Sequence, residues 1–448
     1  MSTTPEKHDT HHKALSINLD GTIFGSFAEI GAGQEVARWF LRVGGASGTV
    51  AKTISAYDKE VSDDLYGAGT RYVSKPRLEA MLDNEWAQLL SQLHATRGST
   101  ARFFAFVDTI SARNYAGTND CHGWMGLRFL RQPGGEPSQV LLHANLRDST
   151  NLRQQEAVGI LGVNLIYAVH HALHSPAEFL ASLFEDLTLP RLEIDCMELS
   201  GPAFTGWDPQ MLHAQLVASG NAEAVAFLVD GRYLPANELL YKRALVLAPG
   251  RFDNVAQMHG ELIRWTLADL AEPEVKESKG GLGLFCLSAA PGRQEDGPVT
   301  AEEIVSHVVD LQKLGYGVLV FRAPELYTMS AFVNRYTNSR IHFAIGLTVL
   351  VKVLEDNYNN LAGSLLEGIA RLFSQNVRMS VYPMKAEDVE QRVKSAGLAE
   401  WHWQATDGMV HADKLYPDAP LGHLYQYLLS SGFILVGKPS GNEAAVAS

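Results

Sequence analysis

The chain has 448 residues, enough for two or three domains at roughly 100–200 residues each. Hydrophobic residues make up 46% and charged residues 19%, so it can bury a full core and does not read as disordered. Asp and Glu total 50 against 37 Lys and Arg, a net charge of −13, which argues against nucleic-acid binding and against docking on an anionic membrane. Three widely spaced cysteines, Cys121, Cys196 and Cys286, form neither a disulfide framework nor a metal-binding pair. Residues 1–13 lack the basic start and apolar core of a signal peptide. The apolar stretches at 157–169 and 341–351 fall short of the ~20 residues a spanning helix needs. The expectation is a soluble, cytoplasmic protein with reduced thiols.

In chain order, 1–12 reads as a disordered tail and 14–18 as a strand before the turn Asp20-Gly21. A glycine-rich loop over 25–33 leads into a helix, where Val36, Ala37, Phe40 and Leu41 have helical spacing. Helices are predicted at 46–64 and 75–96, then a strand at 102–110. Strands at 123–131 and 139–145 flank the turn Gln132-Pro133-Gly134-Gly135 and suggest an antiparallel layer. Helices at 151–173 and 176–187 precede a strand at 191–199, with a subdomain break near 200–208. A helix at 209–219, strands at 224–229 and 244–247, and a helix at 254–271 follow. The charged, apolar-poor segment 271–281 reads as a linker between an α/β domain over 13–270 and a second over 282–440.

In the second domain, strands at 282–289, 317–322, 340–345 and 377–382 alternate with helices at 301–314, 325–337 and 347–374. From 386 onward one helix, the aromatic patch Trp401, His402 and Trp403, and a disordered tail at 441–448 are expected. The fold class is therefore α/β: a mixed sheet in the N-terminal region, then a C-terminal doubly wound, mostly parallel, Rossmann-like sheet.

Several residues are candidates for chemistry. Gly31-Ala32-Gly33 opens a helix, and backbone N–H groups there suit an anion. Val36 stands where a dinucleotide fingerprint would place its third glycine, and a helix is expected where its second strand should follow. Asp108, Arg113, Asn114 and His122 surround a polar loop at 111–120 and are expected to approach one pocket with part of the 24–34 loop. Arg113 would supply a planar donor fork to an anion. Arg335 and Arg340, with hydroxyls between them, can clamp a carboxylate or phosphate, or can serve a helix end. Glu193 and Asp195 share one face of a strand. Cys121 and His122 are strand neighbours pointing to opposite faces, so they are no nucleophile–base pair. His170 and His174 have i,i+4 spacing but no third ligand, so no metal is expected, and no motif identifies a cofactor.

Eight stretches resemble one family of uncharacterised bacterial proteins. They are INLDGTIFGSFAEIGAGQEVARWF at 17–40, GTVAKTISAYDKEVSDDLYG at 48–67, CHGWMGLRF at 121–129, GVNLIYAV at 162–169, LQKLGYGVLVF at 311–321, RYTNSRI at 335–341, LEGIARLF at 366–373 and VYP at 381–383. Members of that family are often labelled TonB-dependent receptor or nicotinate-nucleotide adenylyltransferase. The first label implies a barrel of about 22 strands, which long helices contradict. The second implies a loop with two phosphate-binding histidines. Gly21 to Phe27 is similar to its start, but Ile30 to Gly33 stand where the histidines belong, so no catalytic residue transfers. The reading is a protein that binds a small anionic metabolite or nucleotide. The alternatives are a non-catalytic, self-assembling protein, for which further copies of the chain are the partner, and a nucleotidyltransferase.

Overall fold

The computed structural model describes residues 8–69, 71–252, 255–270, 280–290, 299–355, 358–374, 376–396 and 401–439. The chain divides into two units, Met1–Glu223 and Ala224–Ser448. The division lies between residues 223 and 224. Of the expected linker at 271–281, residues 271–279 lie outside the described residues. The tail expected at 441–448 also lies outside them.

The first unit is built on a six-stranded sheet. Its strands are β1 (Ile23–Gly31), β2 (Val50–Ser55), β3 (Arg102–Ser111), β4 (His122–Leu130), β5 (Pro137–Leu146) and β6 (Leu192–Ser200), in spatial order β2-β1-β3-β4-β5-β6. β1 is parallel to β2 and β3, and the pairs from β3 to β6 are antiparallel. The sheet is therefore mixed.

Three local expectations are corrected. Residues 14–18 lie in the helix Thr10–Leu19, which also takes in the end of the expected 1–12 tail. Asp9 caps this helix by accepting from the His12 N–H at 2.7 Å. Lys13, fully buried, anchors it by donating to Asn164 Oδ1 at 2.9 Å and pairing with Glu185 at 2.8 Å. The glycine loop predicted at 25–33 is instead mostly strand β1, where Gly25 allows close approach to β3: an added Cβ would lie 2.2 Å from the Phe104 carbonyl oxygen. The helix predicted at 46–64 is the turn Ala46–Gly48, strand β2 and the helix Lys59–Tyr66. Val50, Thr53 and Ile54 are β-branched and favour the strand, and Asp58 caps the shortened helix by accepting from the Glu60 and Val61 N–H groups.

The second unit holds a seven-stranded sheet in the order β16-β12-β11-β8-β9-β10-β7. These strands are β7 (Ala224–Phe227), β8 (Ala244–Gly250), β9 (Gly281–Ser288), β10 (Gly317–Phe321), β11 (Ile341–Gly346), β12 (Val377–Tyr382) and β16 (Ile434–Val436). All neighbours are parallel except β7, which runs antiparallel to β10. Counted from β8 in chain order, the six parallel strands lie 3-2-1-4-5-6, a doubly wound arrangement whose winding reverses between β8 and β11. β8 and β10 are apolar and buried almost throughout, as strands covered on both faces must be.

The remaining strands, β13 (Met384–Lys385), β14 (Trp401–Thr406) and β15 (Met409–Pro417), form a small antiparallel sheet. It was not expected beyond the single helix after 386. Asp407 and Gly408, at φ 51° and 77°, make the tight β14–β15 turn, and Trp401 is buried against Tyr425. Among the described residues no helix is long and apolar enough to cross a membrane.

Candidate functional site

Gly31, Gly33 and Asp108 do come together, at the C-terminal ends of β1 and β3. Glu29 and Asp108 are register neighbours across those strands, so their side chains share a face. Asp108 is fully buried, and neither carboxyl oxygen has a hydrogen-bond partner among the described residues. Burial, and then the charge of Glu29, hold its carboxyl well above the usual range. Burial raises Glu29 to about 7, against the pull of the Ser55 hydroxyl.

A side chain at 33 would begin 1.8 Å from Asp108 Oδ2, so Gly33 is glycine for packing. At Gly31 the φ of 98° and an added Cβ 2.0 Å from the Ile110 carbonyl oxygen make the same demand. The helix start at Gln34 is thus faced by the chain's own carboxyl groups rather than by cations. Gly33→Ala is expected to destabilise the first unit by about 1–3 kcal/mol in urea unfolding, the cost of overpacking a tight site. Wild-type stability in that variant would show that the two groups are not in contact.

The other expected members of this pocket go elsewhere. His122 pairs with Ser111, three residues along β3 from Asp108, and so lies on the opposite face of the sheet. Arg113 is exposed, with its guanidinium beside Gly117, and its backbone N–H donates to Gln154 Oε1 at 2.7 Å. Asn114 braces the same loop, its Oδ1 accepting from the Thr118 N–H at 3.1 Å. Asp108, Arg113 and His122 therefore do not share one pocket. His170 is buried against Phe104 and Phe129, and among the described residues no three His, Cys, Asp or Glu side chains could hold a metal.

The second unit offers a different site. The winding reversal between β8 and β11 leaves a crevice at the C-terminal ends of the strands, where ligands of such sheets bind. Two cavities lie there, of about 550 and about 480 Å³, within the size range of small-molecule sites. Both are lined by Pro249, Gly250, Arg251 and Val349. The larger adds Ser288, Glu325 and Lys352; the smaller adds His259, Thr348, Lys385 and Asp388. Among the described residues Arg251, Lys352 and Lys385 have no ion-pair partner, so each cavity has two unpaired cations against one carboxylate.

Helix starts reinforce this field. β11 runs directly into the helix Leu347–Glu355, and β8 leads to the helix Gln257–Asp269; the first turns of both line the smaller cavity. The Ala256 N–H donates to His259 Nδ1 at 3.1 Å, and burial lowers the pKa of the ring. The neutral imidazole then carries its proton on Nε2, where it is a donor. Arg335 and Arg340 lie away from this crevice. Arg335 stacks over the Phe332 ring at 4.6 Å, and the Arg340 carbonyl accepts from Leu245 N–H at 2.8 Å at the N-terminal end of the strands. The sequence signal for the crevice was present but unread: an apolar strand ending in Pro249-Gly250-Arg251 ahead of a helix.

No protein-family model matches the chain, and no curated protein matches it. Solved structures of competence or damage-inducible proteins are similar to part of it. The competence/damage inducible protein CihA from Agrobacterium tumefaciens is 22% identical, over 38% of this chain and 98% of that chain, with a TM-score of 0.27. A competence-damaged protein (CinA) superfamily protein from Enterobacter cloacae is 14% identical, over 38% of this chain and 97% of that chain, with a TM-score of 0.25. Likeness of this degree assigns neither an activity nor a ligand. Neither label of the family that the sequence resembles is supported by these comparisons.

Proposed function

We propose that the second unit binds a small anionic metabolite of mononucleotide or sugar-phosphate size in the crevice between β8 and β11. The observation that carries this is the convergence of three unpaired cations and two helix starts on that crevice, in a chain whose net charge is −13. A positive site on an acidic protein selects for negative charge, since cations without internal partners are costly to gather unless a ligand neutralises them. Two features favour a mononucleotide over a dinucleotide. The turn after β8 has a single glycine, Gly250, where the dinucleotide fingerprint has three, and β9 ends in Ser288 where an acid would hold a ribose.

The test is thermal and urea unfolding of the full chain with nucleoside mono-, di- and triphosphates and with sugar phosphates. A ligand at 100 times its dissociation constant is expected to add ~2.7 kcal/mol to the unit that holds it. A panel that stabilises nothing, or that stabilises only in step with ionic strength, overturns the reading.

A further inference from the structure

A second arrangement of chemical groups lies in the first unit, on the face of its sheet opposite Asp108. His122 and Trp124 of β4 stand across from Asn145 and His143 of β5, in a two-by-two patch whose members are register partners. Behind it, β6 carries a bulge: His143 is opposite Cys196 and Ala144 opposite Ile194, which leaves Asp195 as the extra residue. The bulge turns Asp195 towards His143, whose Nδ1 lies 2.6 Å from Asp195 Oδ1. His143 Nε2 lies in turn 3.0 Å from His122 Nδ1. His143 and Asp195 are buried, at 0% and 4% exposure.

The direction of this chain of bonds follows from its inner end. A carboxylate only accepts, so His143 donates from Nδ1 and has a lone pair on Nε2. His122 must then donate from Nδ1, which puts its own lone pair on Nε2. A proton arriving at Nε2 makes an imidazolium whose charge is shared through His143 with Asp195. That is the way a buried Asp steadies an imidazolium through an intervening hydrogen bond.

Beside the relay stand two donors with no acceptor among the described residues. Trp124 is 1% exposed, and among the described residues neither its indole N–H nor the Asn145 amide N–H group has an acceptor. A buried N–H without an acceptor is costly and calls for a partner. We propose that this patch binds a small carboxylate, whose two oxygens take the N–H groups of Trp124 and Asn145 and whose charge draws a proton onto His122.

The surroundings agree with such a ligand. Arg71 lies near enough to act on His122. Burial, and then His143, hold His122 down at about 4, so without an anion the ring is neutral at neutral pH. Glu193 and His213, which both feel the charge of Asp195, are engaged. Glu193 accepts from the Glu223 N–H at 2.6 Å and pairs with Arg147 at 3.4 Å, and His213 Nε2 accepts from the Met197 N–H at 3.1 Å. His143 and Asp195 are positioning residues here; Trp124, Asn145 and His122 would touch the ligand.

The experiment is nitrogen NMR of the full chain labelled with 15N-histidine and 15N-tryptophan, titrated with acetate and with glycolate at neutral pH. The expected result is a shift of the Trp124 indole N–H together with conversion of His122 from the Nδ1–H tautomer to the doubly protonated ring. Trp124→Phe keeps the ring and removes the donor, and is expected to weaken binding roughly tenfold, the effect of one hydrogen bond to a charged group. Asp195→Asn is expected to leave the indole shift and abolish the protonation of His122, which a purely structural role would not do. The proposal is overturned if neither carboxylate shifts Trp124 or His122, if inorganic phosphate alone does so, or if Trp124→Phe binds as tightly as the wild type. It is also overturned if the indole shifts with no protonation of His122.

Discussion

Arg251→Ala is expected to lower the affinity of the second unit for the anion proposed for its crevice by roughly ten- to a hundredfold, because a charge-assisted hydrogen bond is worth about 1.5–3 kcal/mol. Among the described residues Arg251 is the one cation common to both cavities, so its loss should be felt whichever of them the anion occupies. Lys352 and Lys385 divide the question. Lys352 lines the larger cavity and Lys385 the smaller, so Lys352→Ala and Lys385→Ala should differ in effect, and the larger loss locates the charged group. Calorimetric titration of the three variants with the ligand that stabilises the wild type measures this. All three side chains are solvent-accessible and have no ion-pair partner among the described residues, so their removal should leave the unfolding free energy without ligand nearly unchanged. Wild-type affinity in Arg251→Ala would remove the crevice as the site.

Glu29→Gln is expected to stabilise the first unit by roughly 3 kcal/mol at pH 8 and to change it little at pH 4. The sign follows from proton binding. The Glu29 carboxyl titrates at about 7 in the fold against 4.5 ordinarily, so the folded chain holds the proton more tightly than the unfolded one. Its contribution to stability is complete below about pH 4.5, falls as the pH rises, and is lost above about 7. At about 1.4 kcal/mol per pH unit, ionising Glu29 inside the fold then costs on the order of 3 kcal/mol. Glutamine is neutral at every pH and removes that slope. Asp108→Asn should act in the same direction, since its carboxyl is raised by the same burial and by Glu29 itself. Urea unfolding of the wild type and both variants at pH 4 and pH 8 decides the matter; an equal difference at the two pH values would mean that neither carboxyl is held protonated.

Much of the second unit was legible because its signals are local. Near-continuous apolar strands such as β8 and β10, alternating with helices, specify a doubly wound parallel sheet, since a strand covered on both faces is mostly apolar on both. The antiparallel pair β4–β5 was equally open to reading, because a Pro-Gly-Gly turn joins two apolar runs. Strand β2 was missed because Lys52 and Ser55 among its β-branched residues dilute its period, and its place beside β1 is settled by long-range pairing. The hairpin at Asp407-Gly408 was missed although its turn residues are the standard ones, because the aromatic run before it gave no clear period.

The sites divide along the same line. The class of the sheet and the acidic balance were legible in the sequence, since these follow from composition and period; the approach of Gly31 and Gly33 to Asp108 depends on the pairing of β1 with β3. Tertiary structure alone decided which face each side chain occupies. One step along a strand reverses a side chain, so the Ser111–His122 register puts His122 on the face away from Asp108. Strand order, which no local pattern encodes, placed the crevice between β8 and β11 rather than near Arg335 and Arg340. A single extra residue in β6 turned Asp195 towards His143, and that contact depends on pairing between strands about 50 residues apart in sequence, with a separation of 52 between the two side chains.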